Sequence, residues 1–220
     1  SVFFMLLGIS LLVDGRPKRA GVALGIGVAT KLFPGLALVA ALRRYSWKQM
    51  VMLGGLCLLP LVASYAILWN VSTAYTTASL RSQSSKGSWE TVWALLDHNL
   101  RTGNFGALED RLNPAAAQHP LGNPAVIPPL ASLILVGGIG VAGLLSVHPR
   151  NDRQSLALVG FAMCLAFLWS PGWSPQWCLY LLPVILLALP VQRAGLLSAI
   201  FILINLLEWP ILLSRGYFSL

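Results

Sequence analysis

Three stretches of the sequence put reactive or binding side chains where chemistry can use them. In GVATKLFPG (27–35), Lys31 has eleven residues on either side, Ala20 to Thr30 and Leu32 to Leu42, without another charged group. A lysine inside such an apolar run is costly in a bilayer, and an intramembrane charge is by default a functional one. The natural ligand of a buried ammonium is an anion. The plain alternative is a lysine reaching an interface along its own alkyl stem. In KGSWETVWALLDHNLRTGNFG, Glu90, Asp97, His98 and Arg101 are groups that orient a substrate or carry protons; on a solvated face above lipid headgroups they would do neither. In FLWSPGWSPQWCLYLLP (167–183), Trp169, Trp173, Trp177 and Tyr180 surround two prolines. Aromatic faces beside Gln176 suit a sugar, making Trp173 and Gln176 candidates for a pocket, although an interfacial belt has the same composition. Glu208 is a further carboxylate in an apolar setting, with Arg215 as its expected partner.

Metal and disulfide chemistry have little to work with. Cys57, Cys164 and Cys178 lie singly in apolar runs, and no histidine or carboxylate cluster has ligand spacing. No metal or cofactor is implied.

The elements that position these groups follow from composition. The chain is 56% hydrophobic and 10% charged, whereas a soluble domain carries roughly a quarter charged residues. It reads as a membrane protein. Apolar runs at 49–69, 126–147, 155–169, 176–190 and 195–213 approach the ~20 residues that span hydrocarbon, and 2–13 resembles the tail of another. The chain starts at Ser1 inside an apolar stretch with no cleavage signal, so it is expected to be the C-terminal part of a longer chain. A net charge of +8 would suggest nucleic acid in a soluble protein. Here the basic residues sit in short loops, which is the positive-inside pattern and speaks against nucleic-acid binding.

Loop charges bear on Lys31 directly. With 20–42 as one helix, the basic residues divide six against four between the two sides. With a reversal near Lys31–Pro34, Arg16, Lys18, Arg19, Arg43, Arg44, Lys48, Arg150, Arg153 and Arg193 share one side and only Arg215 lies opposite. The positive-inside rule favours this hairpin. Length favours a single span, since eleven residues reach only ~16 Å. The hairpin is preferred, because Pro34 breaks the helix and suits the first turn of another. The new helix would then open at Pro34, its N-terminus beside Lys31.

The hydrophilic segment 71–125 becomes an outer loop. Within it a helix is expected from Ser88, its N-cap, to Arg101, with Trp89, Val92, Trp93, Leu96 and Leu100 on one apolar stripe and Glu90, Asp97, His98 and Arg101 opposite. Such a helix would lie in the membrane interface. The expected fold is all-α: a polytopic transmembrane helical bundle forming one domain over 1–220, with a re-entrant helical hairpin and an interfacial amphipathic helix.

Three stretches together, GRPKRAGVALGIGVATKLFPGLALVAALRR, SWETVWALLDHN and WSPGWSPQWCLYLLP, resemble glycosyltransferase family 87, the polyprenyl-phosphate-mannose-dependent mannosyltransferases of the GT-C fold. The resemblance implies a multi-pass enzyme of the cell membrane that moves a hexose, mannose first, from a polyprenyl-phosphate-linked donor to a lipid or glycan acceptor at the outer face. It implies an inverting reaction whose carboxylate base lies in an outer loop before Ser1, so that this piece alone is expected to be inactive. Lys31 would bind the donor phosphate, and Glu90, His98, Arg101, Trp173 and Gln176 would line the substrate pocket. No metal is implied. The competing expectation is a transporter or flippase of an anionic lipid or solute, which also wants a broken helix and a buried lysine.

Overall fold

The computed structural model describes residues 1–42, 44–84, 87–99, 113–116 and 122–212. Among them the chain is helical throughout, with no strand.

The first helix, α1 (Val2–Val13), turns through Gly15, whose φ of 72° a side-chain-bearing residue rarely adopts, into α2 (Pro17–Thr30). Helix α2 stops at Lys31, whose backbone is extended (φ −160°, ψ 141°). The chain then re-enters helix as a 3₁₀ segment, Phe33–Ala41. The break thus falls at Lys31 itself, and the return arm opens one residue before Pro34, which sits in its first turn. A nine-residue 3₁₀ run is unusual, since runs beyond three or four residues are uncommon. Its three-residue period puts Pro34 and Ala37 on the buried side, and Ala41 follows them there.

The segment 20–42 is therefore two arms rather than one helix, and the second arm returns to the end the first one left. Tyr45 Oη donates to the carbonyl of Leu12 at 2.7 Å, and Arg44 Nη2 donates to that of Val13 at 3.1 Å. Both carbonyls close α1, beside the start of α2. Pro34 packs so tightly against α2 that a Cβ on Gly27 would stand 2.9 Å from the proline's own Cβ.

Helix α3 (Trp47–Val71) starts with a capping box between Ser46 and Gln49. It crosses α2 at close range through Gly21 and Gly25, where an added Cβ at Gly25 would come within 2.7 Å of the Leu56 carbonyl oxygen. Small residues four apart are what let helices approach in a bilayer. A polar helix, α4 (Thr73–Ser84), and a one-turn α5 (Val92–Leu96) follow. Then come α6 (Pro129–Ser146), α7 (Asp152–Trp169), α8 (Cys178–Ala188) and α9 (Val191–Leu206), which runs on into a π-turn over Leu207–Leu212.

The core is made where α1, α2, the return arm, α3, α7 and α8 meet, around Met5, Leu12, Leu24, Leu53, Val159, Met163 and Val184. The outward faces of α3 and α6 carry exposed Val, Leu and Ile instead. These two helices are long and apolar enough to cross a membrane, at 25 and 18 residues.

The ends of the bundle differ. At one end Arg44 Nη1 meets the Asp152 carboxylate at 2.5 Å, and Arg153 Nη2 donates to the Leu189 carbonyl at 2.8 Å. These contacts gather the connections at 14–16, 44–46, 150–153 and 189–190. Arg16, Lys18, Arg19, Arg44, Lys48, Arg150, Arg153 and Arg193 lie in or within a turn of them. Lys31 lies at the other end.

Candidate functional site

Two residues beyond Lys31, the ring of Phe33 is enclosed by aromatic edges. Its centroid is 4.9 Å from Phe167, 4.8 Å from Trp177 and 5.3 Å from Tyr180, all edge-to-face, with interplanar angles of 87°, 64° and 68°. Edge-to-face is the arrangement that aromatic quadrupoles favour. Trp173 extends the cluster, 5.7 Å from both Phe167 and Trp177. Tyr180 Oη also meets the Ser1 hydroxyl. Lys31 is half-buried, and among the described residues its side chain has no hydrogen bond or ion pair. The backbone N–H groups of Leu32 and Phe33 have no acceptor there either.

Over this end lies a strap, residues 88–99. It is fastened by backbone bonds from Trp89 N–H to the Pro171 carbonyl (2.9 Å) and from Trp173 N–H to the Trp89 carbonyl (3.2 Å). Both strap indoles also donate, Trp89 Nε1 to the Trp173 carbonyl at 2.9 Å and Trp93 Nε1 to the Leu168 carbonyl at 2.8 Å. The helix expected over 88–101 is consequently reduced to α5, capped by Thr91 rather than Ser88. Ser88 and Trp89 are committed to other partners, and Glu90 and His98 take left-handed backbone (φ 54° and 56°), which a helix does not allow. The single apolar stripe and the single polar face do not form over the described part of that segment.

The polar residues of the strap separate accordingly. Asp97 is buried and accepts from the Ser88 hydroxyl at 2.6 Å and from Val126 N–H at 2.7 Å. Asn99 and Asn123 bond reciprocally beside it, through Asn123 N–H to Asn99 Oδ1 at 2.7 Å and Asn99 Nδ2 to the Asn123 carbonyl at 3.2 Å. This knot is structural, closing 88–99 onto 123–126. His98 is exposed on it, its carbonyl accepting from Asn123 Nδ2.

Glu90 faces the other way. Burial, with the Glu208 carboxylate beside it, pushes its carboxyl up to about 7. Glu208 in turn lies against the Trp173 side chain. Arg215, the partner expected for Glu208, lies outside the described residues.

Of the residues expected to form a pocket, the structure brings Glu90 and Trp173 together through Glu208. It places Lys31 two residues from Phe33, whose neighbour Trp177 adjoins the exposed Gln176. His98 stands apart on the Asp97–Asn123 knot, and Arg101 lies outside the described residues. Sequence reasoning missed Phe33, Trp89 and the Glu90–Glu208 pair; the only available signal was the aromatic density of 167–180. Among the described residues no group of three or more His, Cys, Asp or Glu could hold a metal ion. On the return arm, Leu36 also lines an apolar groove of about 300 Å³, shared with Gly137 and Gly140 of α6 and Phe161, Leu165 and Trp169 of α7.

An unpaired ammonium, a turn with free N–H groups and a wall of aromatic rings suit an anionic ligand carrying a sugar or another flat, partly apolar group. The family model described as glycosyltransferase family 87 matches residues 1–171, so Lys31 and Glu90 fall inside the match and Trp173, Gln176 and Glu208 beyond it. No curated protein and no solved structure matches the chain.

Proposed function

The chain belongs to glycosyltransferase family 87, a family of membrane glycosyltransferases, and from that premise we propose that it moves a hexose, mannose first, from a polyprenyl-phosphate carrier to a lipid or glycan acceptor on the outer face of the cell membrane. The observation that carries this reading is the reversal of the chain at Lys31. It sets an unpaired lysine at the end of the bundle opposite the basic connections. By the positive-inside rule the basic end faces the cytoplasm. The arms over 17–41 are then a re-entrant hairpin in a multi-pass bundle, and Lys31, the aromatic wall and the strap lie toward the outer face.

In this reading Lys31 binds the donor phosphate. As the glycosidic bond to phosphate breaks, negative charge grows on the departing oxygen, and a fixed cation with free backbone N–H groups stabilises that charge more than it stabilises the bound donor. Trp173 and Gln176 face the sugar, with Glu90 toward the acceptor. The apolar groove beside Leu36 gives the carrier's hydrocarbon chain a place to lie.

Membranes containing the protein, given radiolabelled polyprenyl-phosphate-mannose, are expected to yield labelled glycolipid or glycan. Uptake or flipping of the same lipid without any transfer would overturn the transferase reading in favour of a transporter.

A further inference from the structure

Lys31 does not hold its own place: its backbone is extended, and among the described residues its side chain touches no polar partner. What fixes the turn lies on either side of it. Thr30 Oγ1 closes the end of α2 by donating to the Gly27 carbonyl at 2.7 Å, and Pro34 sits fully buried against Gly27. These two contacts tie the turn to α2 alone. Phe33 ties the turn itself to the other half of the molecule, through rings on α7, on the 3₁₀ turn Pro175–Trp177 and on α8, while Leu36, further along the arm, meets α7 in the apolar groove.

We infer that Phe33 is a positioning residue for Lys31: its ring, caged by Phe167, Trp177 and Tyr180, locks the extended turn that carries the lysine against α7 and α8. For the catalytic part, this rests on Lys31 as the donor-phosphate ligand. Three edge-to-face ring contacts restrict the orientation of the Phe33 ring, whereas an aliphatic side chain fills the cage without fixing its direction. The position of a charge matters to about 1 Å when it acts on a developing oxyanion. Loosening the ring therefore costs rate rather than donor affinity.

The test is a mutant cycle on the protein in membranes, using polyprenyl-phosphate-mannose as donor. Phe33→Leu is expected to lower kcat about tenfold with KM for the donor changed less than about threefold, the pattern of an interaction made in the transition state. In a Lys31→Met background, Phe33→Leu is expected to remove little of the residual transfer, because the group it positions is already gone. An equal tenfold loss in both backgrounds would show a merely structural role and overturn the inference.

A second readout does not depend on transfer. In a cysteine-free background, Lys31→Cys is labelled with a membrane-impermeant maleimide, with and without Phe33→Leu. A labelling rate changed severalfold is expected, and an unchanged rate overturns the positioning role. Should Lys31→Met transfer sugar normally, the phosphate reading fails, and the labelling rates still decide whether Phe33 holds the turn.

Discussion

The indole of Trp89 occupies the space that a side chain at Gly172 would need: a Cβ built there falls within the ring's van der Waals radius, against Cζ2 and Cε2. The two residues also pair as an isolated bridge, so the strap is both hydrogen-bonded to the 170–175 turn and stacked on its backbone. Gly172→Ala should then expel the indole. Overpacking of this kind costs about 1–3 kcal/mol. The expected result is a lower melting temperature and a red-shifted, more quenchable tryptophan emission, and an unshifted spectrum would mean that Trp89 is not seated there.

Asp97 is expected to matter for folding rather than turnover. It is buried and accepts from Ser88 and Val126. Asp97→Ala leaves the buried Ser88 hydroxyl and the half-buried Val126 N–H without this acceptor, a loss of about 1–3 kcal/mol. Asp97→Asn, which keeps an acceptor, should lose less. Thermal melting in detergent orders the three proteins, and specific activity per folded molecule should stay within about threefold of wild type in both variants.

Glu90 gives the strap a pH dependence of definite sign. Its ordinary value is 4.5, and in the folded protein it rises to about 7. The native state thus binds more protons than the unfolded state between those values, and stability falls as pH rises through that window. Above it, Glu90 is ionised beside Glu208. Glu90→Gln removes the titration, so the fall in melting temperature between pH 5 and pH 7.5 should flatten relative to wild type. Parallel profiles for the two proteins would exclude Glu90 as the source.

Lys31→Met should lower kcat for transfer by about 10²–10³, the scale on which one oxyanion donor contributes. Expression and melting temperature should remain close to wild type, since the lysine makes no contact that folding needs. Normal turnover in the variant would return Lys31 to a side chain that merely reaches an interface.

Cysteines introduced at positions 17 and 46 report the reversal of the chain in the membrane. Both should react with an impermeant reagent from one side only, the cytoplasmic one. Labelling from opposite sides would mean that 17–42 crosses the membrane.

The break of the helix at Lys31 was legible because Pro34 marks a boundary. Its form was not. Leu and Ala in the return arm favour an α-helix by propensity, yet the arm is 3₁₀, with Pro34 and Ala37 buried along one side. The strap shows the opposite case. Trp89 and Trp93 read locally as helix, yet each indole bonds a carbonyl far along the chain, 84 positions away for Trp89 and Trp173 and 75 for Trp93 and Leu168. No periodicity within the strap can register such a partner. Asp97 read as a candidate polar face because a buried carboxylate and an exposed one look alike until Val126 is found beside it. Helix α4, polar and without a stripe, offered no pattern to read.

The 3₁₀ return arm acts as a ruler. At ~2.0 Å per residue its nine residues cover ~18 Å, close to the ~21 Å of the fourteen-residue α2, so arms of unequal count cover similar distances. Wound as an α-helix, the same nine residues would cover only ~14 Å and Arg44 would stop short of Val13. The distance of the Lys31 turn from the Arg44–Val13 contact is thus set by how the arm is coiled as much as by how many residues it contains.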